Sequence, residues 1–435
     1  TIDGSTPMED SFIYGGPIFI EGTKVVRAAV INPDCPPGAV VTKTYFINED
    51  SILPTVSLTT DPYNLWDEEY GIYVMGNDAS PEFPHFGANF WEDWERPIHI
   101  EFFEPNGDLG FSLNAGVKIF GNYSRGYPQK SVAIYARSSY GISQINYQIF
   151  PDKPIQIFET LILRNAGSDW LGSQSSTMFR DALMQTLLPN EINIDRQSYL
   201  PSIVFINREY WGIHNVRERT NSHYIKSNYG IEEDDVDILG VKYWYFYGIE
   251  GDMDEYNQLI NFIESNDISD PTVYNYINTK VDIDELLNYV ILQMYIANFD
   301  WPQNNMKLWK EKSNAGKWRW IINDTDAAFK RHWTINNYTA DGDTNNILQW
   351  VETVNTQYHN MLNTQFDEGV GGLAIFSELL ENQSFRDEFI QRSAHYLYSV
   401  FDPDRISGLI DSFRTAIMQE MPRHILRWEN SCNED

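Results

Sequence analysis

Asp300-Trp301-Pro302-Gln303-Asn304-Asn305 places an Asp five residues before an Asn, and Ile321-Ile322-Asn323-Asp324-Thr325-Asp326, whose Asp324 lies 24 residues after Asp300, runs an apolar stretch straight into two carboxylates. Phosphoryl transfer needs one carboxylate at the attacking hydroxyl, and an Asn plus a further Asp to hold the metal ions that bridge the phosphates. The D-x4-N spacing of Asp300 and Asn305 suits the first part of that set, and Asp324 stands where the metal-binding Asp would follow. In that arrangement Asp300 is the base, Asn305 and Asp324 hold magnesium through oxygen, and Asp326 is either a second ligand or a structural cap. The same residues could also serve as polar loop residues capping local structure.

Working outward, alternate strand residues face one side. Trp318, Trp320, Ile322 and Asp324 are therefore expected on one face, with Trp318 able to stack on a purine base. Upstream, residues 201–218 read as a hairpin turning at Asn207-Arg208-Glu209. Its second strand would put Tyr210, Gly212, His214, Val216 and Glu218 on one face. Tyr210 is the candidate for the other wall of a base pocket, and Gly212 would let a ligand approach the backbone. Lys130 enters a strand from a turn and is the expected phosphate-contacting lysine, held by Glu218. Arg125 and Arg180 are secondary phosphate candidates, because guanidinium forks suit phosphate oxygens. Arg180-Asp181 reads equally well as a structural ion pair at a helix start.

Several of these stretches, in order, resemble the CotH family of atypical kinases from residue 120 onward. They are Phe120-Gly121-Asn122-Tyr123-Ser124-Arg125-Gly126-Tyr127-Pro128-Gln129-Lys130-Ser131, Phe179-Arg180-Asp181, Glu209-Tyr210-Trp211-Gly212 with Arg217-Glu218, the two acidic elements, Ser384-Phe385-Arg386 and Arg423-His424. Asn323 and Gln129 depart from the family pattern, which often has Trp and Lys there. The resemblance implies an ATP- and Mg2+-dependent protein kinase acting on Ser or Thr of an extracellular, surface or coat-type protein. It also implies an α+β, kinase-like fold with a β-rich nucleotide-binding part (49–218) and a mainly helical remainder (219–435). Residues 1–48, with Asp3-Gly4-Ser5-Thr6-Pro7, Tyr14-Gly15-Gly16-Pro17-Ile18 and Val26-Arg27-Ala28, resemble part of the small β-sandwich module found at the ends of chitobiases. Pro17–Ile20, Val25–Val30 and Val40–Phe46 are its expected strands.

Composition bounds the remaining choices. The 435 residues carry 62 Asp and Glu against 31 Lys and Arg, a formal charge of −31, which argues against nucleic acid as a partner. Such a charge would attract a basic protein acceptor, or serve only the solubility of a secreted or salt-adapted chain. Two distant cysteines, Cys35 and Cys432, cannot make a zinc site, and nothing in the sequence brings them within disulfide reach. No segment is long and apolar enough to span a bilayer. The opening Thr1-Ile2-Asp3-Gly4 reads as a processed or trimmed product, and secretion or attachment to a cell surface is what the family resemblance implies. Asp341-Gly342-Asp343-Thr344-Asn345-Asn346, with Glu352, loosely copies a calcium loop but lacks its Gly. The acidic run Glu232–Asp237 is expected to be a solvated helix entry or loop. Two other functions stay open: an inactive surface or adhesion module, and a nucleotide-dependent transferase with a non-protein acceptor. Serine-hydrolase, zinc-hydrolase and P-loop signatures are absent.

Overall fold

The computed structural model describes every residue except 33, 174–175, 243–244, 299, 330–333, 336–337, 340–372 and 433–435. The calcium-type loop at 341–352 lies outside the described residues. The chain forms two compact units: Thr1–Met178 with Ser198–Arg219 and Arg414–Asp435, and Phe179–Gln197 with Thr220–Phe413. The mix of helices and several sheets makes the class α+β, as expected.

The first unit opens with a two-stranded antiparallel pair, β1 (Lys24–Ala28) and β2 (Val41–Tyr45). Strands β3 (Thr55–Thr59), β4 (Arg96–Phe103), β5 (Leu109–Phe120), β6 (Ser131–Tyr135), β9 (Thr160–Arg164), β10 (Tyr199–Ile206) and β11 (Glu209–Glu218) close into a barrel, in the order β10-β11-β9-β6-β5-β4-β3. A minor pair, β7 (Ile145–Asn146) and β8 (Ile157–Phe158), lies between β6 and β9 in sequence. Closure leaves the barrel without a free edge. All its neighbours are antiparallel except β3 and β10. Alternation in β4 and β5 sends Ile98, Ile100, Phe102, Phe111, Leu113, Ala115, Val117 and Ile119 into the core. The β10–β11 turn is the expected one, for Asn207 and Arg208 both have positive φ (47° and 75°), as a two-residue hairpin with the right twist requires. Asn207 also accepts a hydrogen bond from the Thr60 N–H (2.9 Å).

Residues 17–20 do not form the expected strand, and Phe19 is exposed. Among the described residues they have no strand partner to satisfy their backbone groups. The β1–β2 pair is instead tied to the barrel, through Thr44 N–H donating to Glu101 (2.8 Å) and Thr44 sharing a hydrogen bond with Ser57 (2.7 Å). Cys35 is an exposed free thiol. A helix from the end of the chain, Met421–Trp428, packs on β11.

The second unit is less purely helical than its sequence pattern suggests. It contains an antiparallel sheet in the order β13-β12-β14-β15, built from β12 (Val236–Lys242), β13 (Tyr245–Glu250), β14 (Met306–Glu311) and β15 (Arg319–Ile321). Asp237, expected in a solvated run, is buried on β12, where its Oδ1 accepts the Asp252 N–H (3.0 Å). Acidic residues just before β12 hid a strand that begins at Val236. Helices α2 (Arg180–Gln185), α3 (Ser222–Tyr229), α4 (Asp254–Glu264), α5 (Pro271–Lys280) and α6 (Ile283–Tyr295) surround this sheet in sequence, and α1 (Tyr63–Trp66) belongs to the first unit. Helix α6 starts where its acidic residues indicate, with Asp282 as N-cap accepting from Glu285 N–H (3.1 Å). No described helix is long and apolar enough to cross a membrane.

Candidate active site

In the second unit, α6 and β15 each end in a turn that carries carboxylates. Ala297 stops α6 by taking a left-handed conformation (φ 46°), and Asn298 then caps the exit with its Oδ1 accepting the Asp300 N–H (3.3 Å). Trp301 anchors the loop from inside, fully buried with its indole N–H on the Tyr289 hydroxyl (2.9 Å). These restraints fix Asp300. Its Oδ1 accepts from Asn304 Nδ2 (2.8 Å) and its Oδ2 from Asn305 Nδ2 (2.7 Å). Burial pushes the Asp300 carboxyl up to about 6, and the neighbouring charge of Asp324 adds to that, against the pull of the two amides. Asp300, Asn305 and Asp324 are thus gathered in one place.

Asn305 and Asp324 both have left-handed backbone (φ 57° and 51°), which costs energy for residues other than Gly and is tolerated where the surroundings hold it. The hold on Asp324 comes from the next residue. Thr325 is fully buried, and its N–H (2.8 Å) and hydroxyl (3.0 Å) both donate to Asp181 Oδ1 of α2. Asp326 is buried in the same turn, and Phe329 N–H returns to the Ile296 carbonyl (3.0 Å). Arg180 is buried at the first position of α2.

Trp318 does not fit its expected role. It is only 1% exposed, meets Tyr256 edge-on at 5.3 Å and pairs its backbone with Val281. A ring enclosed in the core has no face for a base, so Trp318 is a packing residue. Strand β15 also stops at Ile321, so the shared face read from Trp318 to Asp324 does not extend that far.

The first unit corrects further assignments. Glu218 does not hold Lys130. Its Oε2 takes Lys153 Nζ at 2.6 Å and the Ser198 N–H at 2.8 Å, with the Glu218 and Lys153 side chains 4% and 17% exposed. Lys130 Nζ instead donates to the carbonyls of Arg125 (2.7 Å) and Tyr127 (3.0 Å), 3.7 Å from the centre of the Phe90 ring. Burial drives Lys130 down to about 7. Arg125 is spent on backbone as well, donating to the carbonyls of Gly121 (2.7 Å), Trp91 (3.1 Å) and Phe90 (3.3 Å). Lys130 and Arg125 therefore clamp the 121–127 turn, since their donors go to its carbonyls and to those of the 90–91 loop.

Tyr210 lies under the Arg423 guanidinium (3.9 Å) and against Phe205, so it packs the C-terminal helix onto the barrel. Gly212 (φ 93°) does permit close approach, but by protein. A Cβ there would sit 2.5 Å from His424 Nδ1 and 3.0 Å from Trp428 Nε1. His424 Nδ1 accepts the Ile213 N–H (3.0 Å), and burial drives its pKa down to about 3. Sequence reasoning missed Lys153, which sits in Pro151-Asp152-Lys153-Pro154 with no periodic signal, and Asn304, whose only cue was its place beside Asn305.

No curated protein matches the sequence significantly. The family described as Fn3 associated matches residues 1–45, the stretch that holds β1 and β2. The family described as CotH kinase protein matches residues 117–435, which takes in Lys153, Glu218, Asp300, Asn305 and Asp324. With most of its length matched in this way, the chain belongs to the CotH kinase protein family.

Proposed function

We propose that this chain is a phosphotransferase that moves the ATP γ-phosphate to a Ser or Thr hydroxyl of a protein, at the cell surface or outside the cell. The observation that carries the reading is Asp300, half-buried and clamped by Asn304 and Asn305 beside Asp324. A carboxylate held near pH 6 is ionised at neutral pH, yet basic enough to take the proton of an attacking hydroxyl. The two amides fix the carboxylate plane, so the proton acceptor keeps one orientation. Asn305, having spent its Nδ2 on Asp300, keeps its carbonyl Oδ1 as a candidate metal ligand. With Asp324 and Asp326 it would form the all-oxygen set that magnesium prefers. Such an ion supplies neutralisation of phosphate charge.

Lys153 rather than Lys130 is our candidate for the phosphates. Its ammonium is held by a carboxylate, as a kinase lysine must be, whereas Lys130 is held by carbonyls. The test is incubation with γ-labelled ATP, Mg2+ and a mixed acceptor protein, followed by the same assay on Asp324→Asn. Label on Ser or Thr that vanishes in the variant, with its melting midpoint kept, supports the reading. Transfer that survives the substitution refutes the metal role of Asp324. Label appearing only from α-labelled ATP would point to transfer of AMP instead.

A further inference from the structure

Between the two family matches, residues 61–95 hold nine Asp and Glu and nine aromatic residues, with no Lys or Arg. This connection from β3 to β4 presents part of its aromatic content outward. Phe83 is 41% exposed and Phe86 52%, and both meet Tyr123, itself 50% exposed, with centroids at 6.5 and 6.0 Å. Exposed carboxylates stand near them in the sequence: Asp78, Glu82 and Glu92. Single exposed aromatics are ordinary, but a contiguous group beside exposed carboxylates marks an interaction surface.

The rings are held in place before anything binds. Phe83 stacks on Tyr127 at 5.3 Å, and a Cβ at Gly126 would come within 2.8 Å of it, so the turn sits tightly on that ring. Phe86 lies on Trp91 at 4.8 Å, Trp91 donates to the Pro84 carbonyl (2.8 Å), and the Ser80 N–H donates to the Phe86 carbonyl (2.8 Å). Rings fixed in advance lose little freedom on binding. Nearby, the protein already pairs such rings with cations: Arg96 lies 3.6 Å over Tyr70 and Arg125 lies 5.7 Å over Trp91.

We propose that Phe83, Phe86 and Tyr123, with Asp78, Glu82 and Glu92, form a docking surface for a lysine- or arginine-rich segment of a protein partner. The aromatic faces attract the cationic heads and accept their alkyl stems, while the carboxylates supply complementary charge. A neutral apolar partner would leave those three carboxylates without counterparts, and an acidic one would be repelled. The surface needs neither ATP nor the phosphotransfer reading, so it can be tested apart from them.

The experiment uses the full chain and a fluorescein-labelled 12-residue peptide of alternating Lys and Gly, with a Ser/Gly peptide of equal length as control, read by anisotropy. The Lys/Gly peptide should bind and weaken as salt rises, and the Ser/Gly peptide should not bind. Replacing all three rings by Leu keeps apolar bulk and removes the π faces, and should weaken binding about tenfold. Asp78→Asn, Glu82→Gln and Glu92→Gln together should do the same. Glu264→Gln, Glu381→Gln and Asp404→Asn, an equal charge change at exposed sites elsewhere, should alter it less than about twofold. If the triple Leu variant melts early, Phe86→Leu alone should still weaken binding about threefold. Unchanged binding in the Leu variants, an equal loss in the second-unit charge control, or equal binding of the Ser/Gly peptide would each overturn the proposal.

Discussion

Replacing Asp300 by Asn should make the second unit more stable and the enzyme inactive. Burial and Asp324 raise Asp300 from 3.8 to about 6, so ionising it in the folded state costs about 3 kcal/mol at pH 7.5. Asn carries no charge and avoids that cost. It offers one oxygen where two amide N–H groups now donate, so one hydrogen bond is lost, at about 1–2 kcal/mol. The net effect is a gain of about 1–2 kcal/mol at pH 7.5. The sign with pH follows from the raised value. The penalty on wild-type Asp300 is absent below pH 3.8 and complete above about 6, so wild-type stability falls through that window as pH rises. The variant's advantage should therefore shrink by about 2 kcal/mol between pH 7.5 and 4.5. Native-state hydrogen exchange of the α6 amides reads the second unit by itself. Turnover should drop roughly a hundredfold or more with ATP affinity kept within a few-fold. A loss of stability at pH 7.5, an advantage that ignores pH, or normal turnover would refute this account of Asp300.

Lys153→Met should weaken Mg-ATP binding at least about tenfold by calorimetry, whereas Lys130→Met should leave affinity within a few-fold. Equal losses would return Lys130 to the phosphates. Gly212→Ala should cost the first unit about 2–4 kcal/mol in urea unfolding, from the left-handed φ and the 2.5 Å approach to His424. A neutral effect would show that the C-terminal helix yields easily. Trp318→Phe should lower the melting midpoint without moving ATP affinity, and a selective loss of affinity would restore it as a base-stacking residue.

What could be read from the sequence divides by the range of the interactions involved. The β10–β11 turn depends on a few adjacent residues and forms as expected, and the start of α6 is set as locally, by Asp282 and the acidic residues after it. The Asp300–Asn305 pairing is equally local, five residues apart. Partners chosen across the fold were not legible. Lys130 and Lys153 differ only in what tertiary packing puts beside them, carbonyls in one case and Glu218 in the other. Trp318 and Tyr210 went wrong for the same reason, because an aromatic residue at a strand end looks alike whether its faces meet protein or ligand. Strand β12 was masked by the carboxylates just ahead of it, and Asp237 is buried among partners the sequence does not announce.

The helix Met421–Trp428 has a consequence for how the molecule is made. The barrel strands end at Glu218, yet Trp428 belongs to the barrel's hydrophobic core and His424 answers the Ile213 N–H from 211 residues away. During synthesis the barrel strands emerge long before the residues that complete their core, and the chain must produce Thr220–Phe413 in between. The first unit is thus obliged to wait, partly assembled, with Trp211 and Gly212 uncovered, while the second unit has nearly its whole sequence in hand first. Such long loop closure slows folding, and truncation before residue 414 strikes the barrel rather than the unit whose last residue is Phe413.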